Sequence, residues 1–244
     1  MTDGGTDMTK LKIKICGITR IQDAVAALEA GADFIGLNLY AGPRKITVQQ
    51  AGQILAALPG ATEHSVALVD LSTPEGYAVA DELAQAFGVR IFQLYGNLVN
   101  TRPLSVPQIK YWPVFHIARR NDWQTLSTVL KANPFTAAAV LLDAFSTRGH
   151  GGTGTRMDMA LLAQTRNTGE LRGLPPVILA GGLTPANIAE VLSALRPWAV
   201  DVSSGVEYPR QPGIKDPVKI SAFIGAVRAA DKNGNTNTNR ERIS

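Results

Sequence analysis

The chain is poor in the residues from which disulfides, metal sites and membrane anchors are made. A single cysteine, Cys16, in 244 residues excludes an internal disulfide and any CxxC metal pair. The three histidines, at 64, 116 and 150, lack the close spacing of a zinc site. These absences point to a reducing, cytoplasmic setting and to a protein that holds no metal. No apolar run approaches the roughly 18 residues of a bilayer span. The polar start, Met1 to Thr9, has no basic segment followed by an apolar stretch, so neither a membrane partner nor a leader is expected. Aromatic residues make up only 6% and are not interleaved with a dense basic stripe, which argues against a nucleic-acid partner.

What is present is a globular composition, 45% apolar and 18% charged, with enough apolar residues for a sizeable core. The net charge of +4 and a pI near 9.3 suit an anionic small molecule. Apolar runs with strand character begin near Leu11, Ala32, Ser65, Arg90, Tyr111, Ala137, Pro176 and Ala199. Helical spacing of i, i+3, i+4, i+7 separates most of them, as in Ile21, Ala24, Val25, Leu28 and in Ile188, Val191, Leu192, Leu195. Thr19 with Gln22 reads as a capping box, and Thr184-Pro185 as an N-cap hydroxyl before a first-turn proline. Leu98 to Lys110 carries Pro103 and Pro107 and offers at most a short irregular piece in place of a fourth helix.

Eight βα units in one chain of this length predict an α/β fold, a single-domain (β/α)8 TIM barrel, rather than an open doubly wound sheet. The barrel is expected over residues 10–230. Residues 1–9 read as a flexible segment, and 231–244, rich in Asn and Thr without apolar period, as a flexible tail.

In such a barrel, active groups gather at the C-terminal ends of the strands. Side-chain alternation turns Lys12, Lys14 and Cys16 toward the axis and Leu11, Ile13 and Ile15 toward the helices. It likewise turns Ala139, Leu141 and Asp143 inward on strand six, with Val140 and Leu142 outward. A lone cysteine is most often a small buried hydrophobe, and an aspartate at a strand end is often a cap or an ion-pair partner. Here the two stand across one mouth, where a ligand meets a base and an acid. Lys14, one layer below Cys16, would favour the thiolate, and if buried it needs a partner, for which Asp201 on strand eight is placed.

Three glycine-rich turns follow strands six, seven and eight: Gly149-His-Gly-Gly-Thr-Gly154, Ala180-Gly-Gly-Leu-Thr184 and Ser203-Ser-Gly-Val-Glu207. Glycine allows close approach, and exposed amides point at an anion, so Gly151, Gly152, Thr153, Gly154, Gly181, Gly182, Ser203, Ser204 and Gly205 form the expected phosphate cradle. The first turn also matches GxGxxG, but it does not open the first helix of a nucleotide-binding βαβ unit, and no Walker lysine is present, so a dinucleotide is rejected. Gly42-Pro43-Arg44 follows strand two and aims Arg44 at the same mouth, where its fork suits a carboxylate; the competing reading is a solvated loop arginine. Gln93 lines the barrel at the end of strand four, and Tyr95 reads as a packed aromatic. The glycine-rich stretch 145–157 is the expected mobile lid.

Lys12-Ile-Lys-Ile-Cys-Gly-Ile-Thr19, Gly36-Leu-Asn-Leu-Tyr40 with Pro43-Arg44, Gln93-Leu-Tyr-Gly96, Leu141-Leu-Asp143, Gly151-Gly-Thr-Gly154, Leu179-Ala-Gly-Gly-Leu-Thr-Pro185 and Asp201-Val-Ser-Ser-Gly-Val-Glu207 with Pro212-Gly-Ile-Lys-Asp216 together resemble the phosphoribosylanthranilate isomerases of tryptophan biosynthesis. The ordered match runs over about residues 11–228. The resemblance implies a cofactor-free and metal-free Amadori rearrangement of N-(5'-phosphoribosyl)anthranilate to 1-(o-carboxyphenylamino)-1-deoxyribulose 5-phosphate. It implies Cys16 as general base, Asp143 as general acid, Arg44 on the anthranilate carboxylate and the glycine turns on the phosphate, in a monomer or homodimer. Two positions depart from the pattern: Tyr95 stands where many members have histidine, and Ala41-Gly42 precedes Pro43-Arg44 where serine is common. The related isomerase of histidine biosynthesis typically uses an aspartate on strand one, where this chain has Cys16. The catalytic lysine and glutamates of indole-glycerol-phosphate synthase have no matching positions. A non-catalytic phosphate-binding barrel would not need both Cys16 and Asp143.

Overall fold

Every strand expected from the sequence forms, and each pairs in parallel with its neighbours in chain order. The computed structural model describes residues 10–58, 60–117, 122–132, 135–143 and 173–241. The strands are β1 (Lys12–Cys16), β2 (Phe34–Asn38), β3 (Ser65–Val69), β4 (Ile91–Leu94), β5 (Lys110–His116), β6 (Val140–Asp143), β7 (Val177–Ala180) and β8 (Ala199–Val202). They close into a barrel in the order β1 to β8, and the seam sets Lys14 of β1 opposite Asp201 of β8. The described helices are α1 (Ile21–Glu29), α2 (Val48–Ala56), a short α3 (Ala61–His64), α4 (Pro74–Ala86), α5 (Asp122–Ala132), α6 (Ile188–Ala194) and α7 (Pro217–Glu241). None of the described helices is long and apolar enough to cross a membrane.

Alternation along the strands sorts the apolar residues into two layers. Ile13, Ile15, Val140, Leu142 and Val200 face outward and pack with helix residues such as Ala24, Leu83, Ile188 and Phe223. Val66, Ile91, Trp112, Ala139, Leu141 and Ile178 fill the barrel. Both expected faces of β1 and β6 are therefore realised. The N-terminal end of the barrel is closed by aromatics: Phe34 and Trp112 meet edge to face at 5.1 Å, and Trp112 and Trp198 at 5.8 Å. This apolar floor leaves the C-terminal mouth as the polar end.

Two local expectations change, and a third is met. The Thr19 hydroxyl does not cap α1; it donates to the Gly213 carbonyl at 2.6 Å, and α1 starts from Arg20 with no side-chain cap. A distant buried acceptor has outcompeted the local amide. Thr184 does accept from the Asn187 amide at 3.3 Å, but this closes a turn over 185–187 and α6 begins only at Ile188. Between β4 and β5 the irregular piece is one 3-10 turn, Leu98–Asn100.

At the other end, α7 continues past residue 230, where the sequence reading ends the barrel. Asp231 is buried; its Oδ2 accepts the Leu11 amide at 3.2 Å, and Arg196 pairs with its Oδ1. Arg228 on the same helix donates to the Leu11 carbonyl and to Asp33 at 2.9 Å. These bonds satisfy the backbone of Leu11, just before β1, while Lys12 at the start of the strand pairs with Ala199 of β8.

Candidate active site

The base of the site is an ion pair inside the barrel. Lys14 is fully buried, and its Nζ lies 3.0 Å from Asp201 Oδ1. Burial alone would lower the Lys14 pKa, but the charges of Asp201 and Cys16 outweigh it and keep the ammonium charged. The same ammonium is within hydrogen-bonding range of the Cys16 sulfur. Room for this trio comes from Gly36 on β2: a Cβ there would stand 2.8 Å from Cys16 Sγ and 3.0 Å from Lys14 Nζ. Lys14 does favour the Cys16 thiolate, as expected, yet burial and then Asp201 push the other way, and the net thiol pKa is raised. Burial first, and then the Asp201 charge, therefore favour the thiol over the thiolate despite the cation beside it.

Across the mouth, Asp143 ends β6 and faces the exposed His116 of β5, with Nδ1 3.6 Å from Oδ2. Burial raises the Asp143 pKa; His116 opposes the shift and Asp201 adds to it. The carboxyl thus holds its proton to higher pH than an ordinary aspartate does. Tyr95, just beyond β4, stacks on Tyr40 with ring centroids 4.9 Å apart and planes within 8°. Its hydroxyl accepts from Gln93 Nε2 at 2.9 Å.

Arg44 reaches the mouth, but two of its bonds are already made. Nε and Nη2 each donate to Glu207 at 2.7 Å, which leaves Nη1 as the free edge among the described residues. Burial pushes the Glu207 carboxyl up, but the bonds from Arg44 and Lys215 prevail and hold it below the usual carboxylate range. The buried Lys215 Nζ bonds Glu207 Oε1 at 2.9 Å and the Ser203 carbonyl at 3.1 Å. One carboxylate therefore orients the arginine and anchors the lysine that supports the turn after β8. The stem of Arg44 lies over Gly17, which has φ +74°; a Cβ there would come within 2.5 Å of Arg44 Cδ.

The turns after β7 and β8 lie together. Gly181 and Gly182 adopt φ of +98° and +61°, and Ser204 opens a 3-10 turn that ends at Val206. The amides of Gly182, Ser204 and Gly205 donate to no acceptor among the described residues, which suits them to an anion. A Cβ on Gly205 would fall 1.9 Å from the Leu183 carbonyl oxygen, so only glycine lets the two turns touch. Gly205→Ala is expected to raise KM for a phosphorylated substrate by about tenfold or more and to cost about 1–3 kcal/mol of stability. Steady-state kinetics and thermal unfolding of the variant check both.

The structure brings together Cys16, Asp143, Arg44, Gly181, Gly182, Ser203, Ser204 and Gly205 at one end of the barrel. Gly151, Gly152, Thr153 and Gly154, and the expected lid at 145–157, lie outside the described residues. Glu207, Lys215 and Gly36 were not foreseen as site residues. The clue to the first two was the presence of ionisable residues beside a glycine turn, but their partners are fixed only by the fold. Among the described residues no three of His, Cys, Asp and Glu converge as a metal site.

Comparison with known proteins gives one consistent result. Residues 13–226 match the family model described as N-(5'-phosphoribosyl)anthranilate (PRA) isomerase. The N-(5'-phosphoribosyl)anthranilate isomerase of Pseudomonas fluorescens (strain Pf0-1) is 41% identical over 224 residues, covering 91% of this chain and 100% of that one. The crystal structure of phosphoribosyl anthranilate isomerase from Thermotoga maritima superposes with a TM-score of 0.70 at 28% identity, covering 90% of this chain and 99% of that chain. A phosphoribosyl anthranilate isomerase in complex with reduced 1-(o-carboxyphenylamino)-1-deoxyribulose 5-phosphate superposes with a TM-score of 0.67 at 27% identity, covering 90% and 99%.

Proposed function

We infer the division of labour in the site from one premise: the chain belongs to the N-(5'-phosphoribosyl)anthranilate isomerase family and is an isomerase of that reaction. The reaction is an intramolecular redox shift, an aldose-derived amine becoming an amino-ketose. Asp143 donates its proton to the ribose ring oxygen as the nitrogen lone pair opens the ring to a Schiff base. Cys16, as thiolate, removes the proton from C2', and the resulting enolamine tautomerises to the ketone. One proton leaves the acid and one reaches the base, so substrate and product are isomers and the enzyme resets by returning the proton.

The observation that carries this reading is the opposed pair. Cys16 and Asp143 are the last residues of β1 and β6, on the inward face by alternation with Ile15 and Leu142, and burial raises both pKa values. The free edge of Arg44 binds the anthranilate carboxylate, and the turns after β7 and β8 bind the phosphate, with Gly151, Gly152, Thr153 and Gly154 completing the cradle. The single, buried cysteine suits work in the reducing cytoplasm. The gene is expected to restore growth without tryptophan to a host that lacks this isomerase. No growth despite soluble, folded protein would overturn the reading.

A further inference from the structure

Gln93 is a buried amide whose bonding is incomplete. It lies 1% exposed on β4, two residues beyond the barrel-filling Ile91 and two before Tyr95, so all three share the inward face. Its Nε2 donates to the Tyr95 hydroxyl. Its Oε1 is the one buried side-chain polar atom among the described residues without a hydrogen-bond partner. Exchanging the amide oxygen and nitrogen does not remove the deficit: the tyrosine would then donate to Oε1, and Nε2 would be left alone. A buried polar atom left so is costly and, in a native fold, calls for a reason.

Tyr95 supplies the complementary half. Because its hydroxyl oxygen accepts from Gln93, its own proton is uncommitted, and the stack on Tyr40 fixes the ring. Cys16, Asp201 and Asp143 lie near enough to act with burial in holding the phenol protonated. The hydroxyl is thus a protonated donor held near Cys16, Asp201 and Asp143.

We propose that Gln93 and Tyr95 form a subsite for one hydroxyl of the substrate's ribose, the group on C3'. A hydroxyl both donates and accepts, which matches an amide oxygen beside a phenol proton. A carboxylate or phosphate would face the amide oxygen unpaired. In the substrate the phosphate is on C5', the anthranilate on C1', C2' reacts and the ring oxygen receives the proton. The C2' hydroxyl becomes the ketone and must give up its proton, so the C3' hydroxyl is the one ribose hydroxyl of the substrate that stays both donor and acceptor throughout, and holding it fixes C2' against Cys16. The assignment rests on the reading that the sugar lies between Cys16 and Asp143.

The test pairs enzyme and substrate changes. Wild type and Tyr95→Phe are each assayed on phosphoribosylanthranilate and on its 3'-deoxy analogue, made from 3-deoxyribose 5-phosphate and anthranilate. Losing the contact from either side is expected to lower kcat/KM by about 10- to 100-fold, with no further loss when both changes are combined. Gln93→Leu should behave like Tyr95→Phe. Equal rates of wild type on both substrates would overturn the proposal, as would a Tyr95→Phe loss of the same factor on both. Undiminished turnover in Cys16→Ala and Asp143→Asn would instead overturn the catalytic reading beneath it.

Discussion

Cys16→Ala is expected to lower kcat by about 10²–10⁴-fold, the usual contribution of a positioned base, with KM changed little. The side chain is small and buried, and alanine keeps its Cβ, so the fold survives with a modest loss of roughly 1 kcal/mol. The variant still has Asp143 to open the ring. Removal of the C2' proton then limits the rate, and substrate deuterated at C2' should show a full primary isotope effect on the residual activity. Near-normal turnover would remove the thiol from the mechanism. In wild type, the pH dependence has a particular form. Asp143 starts in the carboxyl range and Cys16 is raised from the thiol range, so when one proton is shared between them it sits mainly on the sulfur, as carboxylate with thiol. The working form, carboxyl with thiolate, is its minority tautomer with the same proton count. Rate therefore falls below the Asp143 pKa, when both groups are protonated, and above the Cys16 pKa, when neither is. A bell of kcat/KM with its alkaline limb above the ordinary thiol range checks this.

Asp143→Asn is expected to lower kcat by a similar ~10²–10⁴-fold while leaving the protein as stable as wild type or more so. The amide has the shape of the carboxyl but no proton to give to the ring oxygen. Ring opening then limits the rate, and the C2' isotope effect should shrink, the reverse of the cysteine variant. The stability sign follows from linkage. Burial raises the folded-state pKa of Asp143 above its unfolded value, so the folded form binds the proton more tightly. Stability is lost as pH rises from the unfolded carboxyl pKa through the folded one. Asparagine has no such loss. The difference in Tm between variant and wild type should grow from acid to neutral pH, and a Tm of the variant below wild type at neutral pH would contradict it.

The inward placement of Cys16 and Asp143 was legible in the sequence because strand alternation is a local rule. Ile13 and Ile15 mark the outward face of β1 and so place Lys14 and Cys16 inside; Val140 and Leu142 do the same for Asp143. Arg44 was legible as a residue at the mouth, but not its engagement. Its partner Glu207 is 163 positions away, and nothing in the local pattern distinguishes that carboxylate from a solvated one. Gly36 was visible as a motif glycine, whereas its purpose, space for the Cys16–Lys14 contact, belongs to β1 and β2 lying side by side. Thr19 shows the opposite error: its local pattern was a sound cap, and a tertiary acceptor at Gly213 took the hydroxyl.

The ion pair across the β1–β8 seam also sets when in its life the enzyme becomes active. Lys14 and Asp201 are 187 positions apart, and synthesis delivers the lysine first. Until the last strand emerges, β1 has an open edge and its lysine lacks the seam carboxylate. Such distant pairings form late because the intervening chain must be ordered first. A nascent or truncated barrel lacking β8 therefore has Cys16 and Asp143 but no finished site, so that turnover itself reports that the ring has closed.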